Sequence, residues 1–548
     1  MTFNIKNYKD DLLFIPLGGA DEIGMNLNLY HYKGKWLLID LGIGFADQQY
    51  PGVDIIVPDI AFLAKHKQDI VGLVLTHAHE DHLGAVQYLW HELECPVYTT
   101  AFTAAVLKAK LNEMGKKDQV PITEIKSDTR LSIGPFDLQA VGITHSIPEM
   151  HAIAIRTDMG VVFHTGDWKF DHDPIIGAKT DEELLRSIGD EGVLAVVGDS
   201  TNIFSPGVSG SEGDLQGSLE DIIKDLKKRM VVVSTFASNI ARLHSIAKAA
   251  QNAGRKVALA GRSLWRIYDA ALSTGYLQDL DPFIREQQIK KYRRDEILVI
   301  CTGCQGEPLA AASKLANNSH QHFALQRNDV MIFSSKIIPG NEKKIFALFN
   351  KLARKGVDIM TERDHFVHVS GHPSRDEVAK MYELLRPRIS IPVHGEAAHL
   401  HEHAKFARTF GAQAIEPYNG IVIRIGDEGA EKIGEVQSGY LAIDGYTILE
   451  SNSPLIAARR RMMHGALIIT LIVNKQNVLV KPSLSTPGIL DPRADKELLD
   501  ELTAMIEGAC GEQVVNSETE RRAHSMVRKF ISNELGKEPH ILVQIAKV

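Results

Sequence analysis

Through its first 200 residues the chain is punctuated by short apolar, β-branched runs at Trp36–Leu41, Ile70–Thr76, Phe136–Thr144, Gly160–His164 and Val193–Val197, each ending at a polar, glycine-rich turn. Runs this short, apolar on both alternations, predict strands buried between helical layers, because a strand covered on both faces has no solvent side to carry polar residues. Periodic stretches at Leu83–His91 and Ala101–Met114 predict intervening helices.

From about Ser211 the pattern becomes a regular alternation. A helix over Leu215–Arg229 leads into a strand at Met230–Ser234, and a helix over Ile240–Ala253 into a strand at Lys256–Ala260. Strands at Ile297–Thr302 and Val330–Ser334 and a helix over Asn341–Lys355 continue the series. That order predicts a separate parallel α/β unit. Near residue 365 the short-strand pattern returns, most clearly at Ile389–Val393, so one α/β domain inserted into another is the economical reading. Residues 426–454 read as a linker. Beyond them, strands at Ala466–Val473 and Asn477–Val480, helices at Arg493–Gly508 and Glu518–Leu535, and a last strand at Ile541–Val548 predict a small α+β domain.

The 548 residues, 44% hydrophobic and 24% charged, fit a globular enzyme; the length predicts about three to four domains. The four cysteines, Cys95, Cys301, Cys304 and Cys510, are too few for a disulfide framework. The N-terminal residues lack the basic-then-apolar order of a signal peptide. Together these predict a reducing, cytoplasmic location. No apolar run approaches the roughly 20 residues that span a bilayer, so no membrane partner is expected. The net charge of −8 does not exclude a polyanion, which needs only a local basic surface. The basic runs Lys227-Lys228-Arg229, Lys290-Lys291-Tyr292-Arg293-Arg294 and Arg459-Arg460-Arg461 read first as solvated faces. Cys301-Thr302-Gly303-Cys304 reads as a turn closing a strand, since no second cysteine pair exists to complete a zinc site.

The sharpest chemical signal is Thr76-His77-Ala78-His79-Glu80-Asp81-His82-Leu83-Gly84, directly after a predicted strand and before a helix. A strand-to-helix turn lets several side chains converge on one point, and imidazole with carboxylate suits zinc or manganese. Further ligands are expected where other strands end, since sites in layered α/β folds gather at carboxyl ends. His145, Asp167 and His394 stand at such ends. The expected count is two divalent ions, zinc or alternatively manganese. His77, His79 and His145 take one, Asp81, His82 and His394 the other, and Asp167 bridges them. His31, His66, His91, His244, His320 and His322 stand alone and read as ordinary, and His151 and His164 as core or supporting residues.

These residues resemble the metallo-β-lactamase superfamily, over most of the chain. Asp199 in Gly198-Asp199-Ser200-Thr201, His372 in His368-Val369-Ser370-Gly371-His372 and His394 in Pro392-Val393-His394-Gly395-Glu396 match motifs A, B and C of its β-CASP nucleases. Within that group Phe236-Ala237-Ser238-Asn239, Thr302-Gly303-Cys304-Gln305-Gly306-Glu307-Pro308 and Ser334-Ser335-Lys336-Ile337-Ile338-Pro339-Gly340-Asn341-Glu342 resemble the ribonuclease J family. Cys304 departs from it, since a serine is usual there.

The resemblance implies an αββα metallo-β-lactamase sandwich over residues 1–210 and 373–425, an inserted parallel α/β β-CASP domain over 211–372, and the family's small C-terminal α+β domain over 455–548. It implies 5′→3′ exonuclease action on single-stranded RNA favouring a 5′-monophosphate, with endonuclease cleavage, in mRNA decay and rRNA maturation. It also implies a homodimer or homotetramer through the C-terminal domain. Asp81 is then expected to orient the nucleophile as well as ligate, His372 to protonate the leaving 3′ oxygen, and Asp199 to fix a neighbouring histidine. Ser238, Asn239, His368, Val369, Ser370, Gly371 and His372 are expected to form the 5′-phosphate pocket, where small and hydroxyl side chains let backbone N–H groups approach the oxygens.

Three alternatives stay open on the residues: a small-molecule hydrolase with the same metals, opposed by the long insert; a DNA-directed β-CASP nuclease, opposed by a histidine at 394; and a non-catalytic RNA-binding subunit, opposed by the full ligand set.

Overall fold

The computed structural model describes residues 4–510 and 514–548. It divides into two units, residues 4–43 with 58–439, and residues 44–57 with 440–548.

The first unit contains two sheets packed face to face. One has eight strands in the order Gly429–Glu435, Ile421–Gly426, Leu12–Gly18, Leu27–Tyr32, Lys35–Ile39, Ile70–Val74, Val97–Thr99, Ile122–Glu124. The other has seven, in the order Gln413–Ala414, Ile389–Val393, Val193–Asp199, Gly160–His164, His151–Thr157, Phe136–Gly142, Arg130–Ile133. Side-chain alternation decides what each face buries. Ile153 and Ile155 join Leu12, Phe14, Leu37 and Ile39 in the core between the sheets. Ala152 and Ala154 turn the other way, to a core with Leu185 and Ile188 of the helix Glu182–Gly192 and Val378 and Met381 of the helix Arg375–Leu385. Both faces are covered, which is why these strands carry unbroken apolar runs. This is the metallo-β-lactamase αββα sandwich.

The insertion lies between two neighbours. Val193–Asp199 and Ile389–Val393 pair in parallel, from Ala195 opposite Ile389 to Asp199 opposite Val393. The chain therefore leaves and re-enters one sheet at adjacent positions, which leaves the sandwich intact. Between them lies a six-stranded sheet ordered Ile284–Arg285, Lys256–Ala260, Ile297–Cys301, Val231–Ser234, Val330–Phe333, Asp358–Met360, parallel at every pairing. Val232, Ala258, Val299 and Met331 pack against Leu315, Leu348 and Leu352. Cys301 and Cys304 are buried free thiols at the end of one of its strands.

Polar residues tie this joint. Glu377 accepts from the backbone N–H groups of Phe170, Ser209 and Ser374, and so clamps the entering and returning segments together. Arg242 and Glu212, both buried, form an ion pair at 2.9 Å.

In the second unit, Ala466–Val473 pairs antiparallel with Leu479–Ser485 and parallel with His540–Lys547. Leu467, Ile469, Leu471 and Val473 alternate inward onto Leu502, Ile506, Val527 and Ile531 of the helices Lys496–Cys510 and Ser517–Leu535. The strand expected at Asn477–Val480 begins later, at Leu479. Asn474 accepts from the N–H groups of Gln476 and Val478, and Asn477 has a φ of 61°, so this stretch is the hairpin turn.

Residues 426–454, expected as a linker, are mostly strand. Gly429–Glu435 extends the eight-stranded sheet, and Tyr440–Asp444 and Thr447–Glu450 form a hairpin. That hairpin completes a four-stranded sheet with Ile55–Pro58 and Gly44–Phe45, which is what carries residues 44–57 out of the first unit. Charged and glycine residues mask these strands in the sequence. Among the described residues no helix is long and apolar enough to cross a membrane.

Candidate metal centre

Strands Lys35–Ile39 and Ile70–Val74 run parallel in one sheet, and Gly160–His164, Val193–Asp199 and Ile389–Val393 run parallel in the other. Asp40 and the segment His77 to His82 follow the first set; Asp167, Asp199 and His394 follow or close the second. All these side chains meet at one edge of the sandwich. His145 joins them from the end of Phe136–Gly142.

The ligand atoms fall into two clusters that share Asp167. His77, His79, His145 and Asp167 form one, and Asp81, His82, Asp167 and His394 the other. In each, one ligand atom per residue lies within 4.8 Å of the rest. His79 Nδ1 lies 3.0 Å from His77 Nε2 and 3.1 Å from His145 Nε2. Nitrogens bound tetrahedrally to zinc would stand roughly 3.3 Å apart, given bonds of about 2.0–2.1 Å.

The outer nitrogens explain why lone pairs point inward. His77 Nδ1 donates to Thr76 Oγ1, 3.0 Å away, whose own hydroxyl donates to the Asp40 carboxylate. His82 Nδ1 donates to Asp40 Oδ2 at 2.7 Å, and His145 Nδ1 to the Gly371 carbonyl at 2.6 Å. His394 Nδ1 donates to Thr201 Oγ1 at 2.7 Å, and that hydroxyl donates to Asp199. With Nδ1 occupied, Nε2 of each of these four rings is left facing the cluster, while His79 faces it with Nδ1. Buried lone pairs facing one another without a proton repel, and a cation resolves the conflict. The donor set therefore fits divalent metal.

Charge supports the same reading. Burial, reinforced by neighbouring histidines, pushes His77 and His145 well below the ordinary imidazole range, and His79 down to about 4, so these rings are neutral and able to ligate. At His82 and His394 burial also opposes the proton. Asp167, with Asp40 and Asp81 around His82 and Asp199 and Asp81 around His394, overrides it, and His394 is raised to about 10. Anionic charge is thus concentrated in the second cluster, where a metal ion would replace the protons.

Asp40 and His394 adopt left-handed backbone conformations, with φ of 65° and 52°. Such geometry in non-glycine residues carries strain and clusters at functional sites. Close packing fixes the turn as well: a Cβ on Gly42 would lie 1.7 Å from the Asp81 carbonyl oxygen.

Asp199 and His372 form a third group with Asp167 and His394. His372 Nδ1 donates to Asp199 Oδ2 at 2.8 Å, and its ring stacks on His394 at 5.5 Å. His79 and, with side chains 24% and 32% exposed, His372 and Asp81 are partly open to solvent, whereas Asp167 and Asp199 are sealed.

The segment 368–372 is stitched to this centre at several points. Arg242 donates to His368 Nδ1 and to the Val369 carbonyl, and Asn202 donates to Ser370 Oγ. Asn239 caps the helix Ile240–Asn252, accepting from the Arg242 N–H, and Ser238 precedes it. Arg242 is therefore where the two expected pocket segments meet.

Comparison with known proteins places this geometry in a family. Family models match as "Beta-lactamase superfamily domain" over residues 35–184, "Ribonuclease J, beta-CASP domain" over 227–352, "Zn-dependent metallo-hydrolase RNA specificity domain" over 356–417 and "Ribonuclease J C-terminal domain" over 455–548. Ribonuclease J of Sinorhizobium meliloti is 41% identical, covering 98% of each chain. The chain belongs to the ribonuclease J family. Ribonuclease J of Corynebacterium glutamicum is 34% identical over 97% of this chain and 75% of its own, and ribonuclease J2 of Bacillus subtilis 30% identical over 99% and 100%. A crystal structure of a protein of unknown function from Enterococcus faecalis shares the fold at a TM-score of 0.54 and 17% identity, covering 76% of this chain and 100% of that one.

In this member of the ribonuclease J family, Asp40, Thr201 and Arg242 escape a reading of the sequence. Asp40 falls inside the apolar run Trp36–Leu41, but the strand itself ends at Ile39, and an acid at a strand end is the signal that could have exposed it. Thr201 lies within motif A. Arg242 shows only as a charge within an otherwise apolar helix face. An Asp40→Ala protein, folded by circular dichroism, is expected to bind divalent metal about 10–100-fold more weakly, because His82 and Thr76 lose their common acceptor. Competition with a chromogenic chelator measures this, and unchanged affinity would remove Asp40 from the site.

Proposed function

We propose that this ribonuclease J family member, a metallo-β-lactamase-type ribonuclease, hydrolyses single-stranded RNA 5′→3′ from a 5′-monophosphate end, with endonuclease cleavage as well. The observation that carries the reading is Asp167 shared between two ligand clusters, with the Asp199–His372 pair beside them. His77, His79 and His145 would hold one ion, Asp81, His82 and His394 the other, and Asp167 both; zinc is the ion we propose. Divalent ions supply Lewis acidity toward phosphate and bring water to nucleophilic strength near neutral pH.

The chain's own residues supply the rest. Asp81, about a third exposed, orients the attacking water in line with the scissile phosphorus. His372, held through Nδ1 by Asp199, presents Nε2 to the leaving 3′ oxygen and passes it a proton. The products are a 5′-phosphate and a 3′-hydroxyl. Residues Ser238 and Asn239, with 368–372, form the pocket for the terminal phosphate. In the cell we place this activity in the cytoplasm, in mRNA decay and rRNA maturation, with the C-terminal domain joining copies into a dimer or tetramer.

The test is a gel time course on one 3′-labelled RNA bearing a 5′-monophosphate, 5′-triphosphate or 5′-hydroxyl, with zinc or manganese. Shortening from the 5′ end, fastest for the monophosphate, is expected. A His372→Ala protein is expected to keep its metal content and lose about 10²–10⁴-fold in turnover, the usual share of a general acid. Cleavage of DNA alone, or full turnover by that variant, would overturn the substrate or the role respectively.

A further inference from the structure

Ser200 lies between two residues that face the metal centre. On one side Asp199 accepts from His372 Nδ1, and on the other the Thr201 hydroxyl accepts from His394 Nδ1. Ser200 itself opens a buried chain of hydrogen bonds. Its Oγ lies 2.8 Å from His403 Nδ1, His403 Nε2 lies 2.9 Å from the Tyr382 hydroxyl, and that hydroxyl lies 2.7 Å from Ser390 Oγ. His403 stands on the helix Ala397–Arg408, Tyr382 on the helix Arg375–Leu385 and Ser390 on the strand Ile389–Val393. The chain thus ties the end of the strand Val193–Asp199 to two helices and back to the neighbouring strand.

A serine beside a histidine is the pairing of a nucleophile and its base. Here all four side chains are buried, so no substrate reaches them, and the pair holds rather than reacts. Burial keeps His403 down at about 4, so its ring is neutral at physiological pH and does not compete with His372 for the charge of Asp199. A neutral imidazole donates at one nitrogen and accepts at the other, and a hydroxyl on each side satisfies either tautomer. Packing leaves little freedom as well. A Cβ on Gly395, next to His394, would lie 3.1 Å from Ser200 Cβ, and one on Gly198 would lie 3.5 Å from His403 Cε1.

We propose that Ser200 and His403 are positioning residues, an anchor that sets Asp199 against His372 and Thr201 against His394. Without it both neighbours drift, and a displacement of ~1 Å is enough to slow catalysis about 10²-fold. The proposal rests on the ribonuclease reading for its rate effect, while its effect on metal binding stands apart from that reading.

Ser200→Ala and His403→Gln, each folded by circular dichroism, are expected to bind divalent metal about 10–100-fold more weakly in competition with a chromogenic chelator. At saturating metal each should lower kcat on RNA and leave KM unchanged. The two substitutions together should do no more than either alone, since both break one bond. His403→Asn should stay close to the unaltered protein, because its amide takes the place of Nδ1 facing Ser200, whereas a glutamine amide takes that of Nε2 facing Tyr382. Ser200→Ala removes a single hydroxyl and carries the test if His403→Gln does not fold. Unchanged metal affinity in Ser200→Ala, additive losses in the double variant, or equal losses in His403→Asn and His403→Gln would overturn the anchor. An unaltered chain that cuts no RNA would overturn the ribonuclease reading instead, and the chelator competition would still decide the anchor.

Discussion

An Asp167→Asn protein is expected to keep its fold, to bind fewer than two divalent ions per chain, and to lose about 10⁴-fold or more in turnover on RNA, a barrier increase of about 5.5 kcal/mol. The substitution changes charge with almost no change in shape. Asp167 belongs to both histidine clusters and to the group containing His372 and Asp199. It lies 3.1 Å from His82 Nε2 and 3.9 Å from His77 Nε2, and its burial excludes water as a replacement donor. An amide offers one neutral oxygen where two cations would share an anion, so both sites weaken together. Metal content after gel filtration, measured by plasma mass spectrometry, decides the matter. Two ions retained per chain would show that the clusters do not depend on a common carboxylate.

Arg242→Met is expected to destabilise the first unit by about 3–5 kcal/mol, because it strands Glu212 as a buried charge without a partner. Arg242 is fully buried and pairs with Glu212 at 2.9 Å; it also donates to the Ser334 carbonyl and to Val369. The first thermal transition should fall by roughly 3–6 °C. The double variant Arg242→Met with Glu212→Leu separates stability from positioning. Replacing both charges with apolar groups of similar volume is often neutral or stabilising, so the transition should recover. Discrimination between 5′-monophosphate and 5′-hydroxyl RNA should not recover, because segment 368–372 has lost its donor. A double variant that regains both would show that Arg242 holds the fold and nothing of the pocket.

The two effects differ in how far they are visible in the sequence. His77, His79, Asp81 and His82 crowd one strand-to-helix turn, where so many polar groups together have few uses but metal. His145, Asp167 and His394 are legible because each stands where an apolar run stops. Arg242 offers no such signal. Its partner Glu212 is 30 residues away and its targets Val369 and His368 about 126 residues away, distances that only folding closes. Asp40 is similar: its partners Thr76 and His82 lie in a different strand connection.

The chain's periodicity alone determined the layered α/β class, the inserted parallel unit and the small α+β domain, because burial on both faces writes apolar runs and burial on one writes alternation. The strand-end rule then named the ligand-type side chains. Only the tertiary structure decided which nitrogens face inward, which outer groups hold those rings, and that residues 44–57 and 440–450 form one sheet. These depend on register between strands distant in sequence and on hydrogen bonds to the far side of each ring. Local patterns of polarity carry neither, since a side chain's character tells whether it is buried but not against which partner.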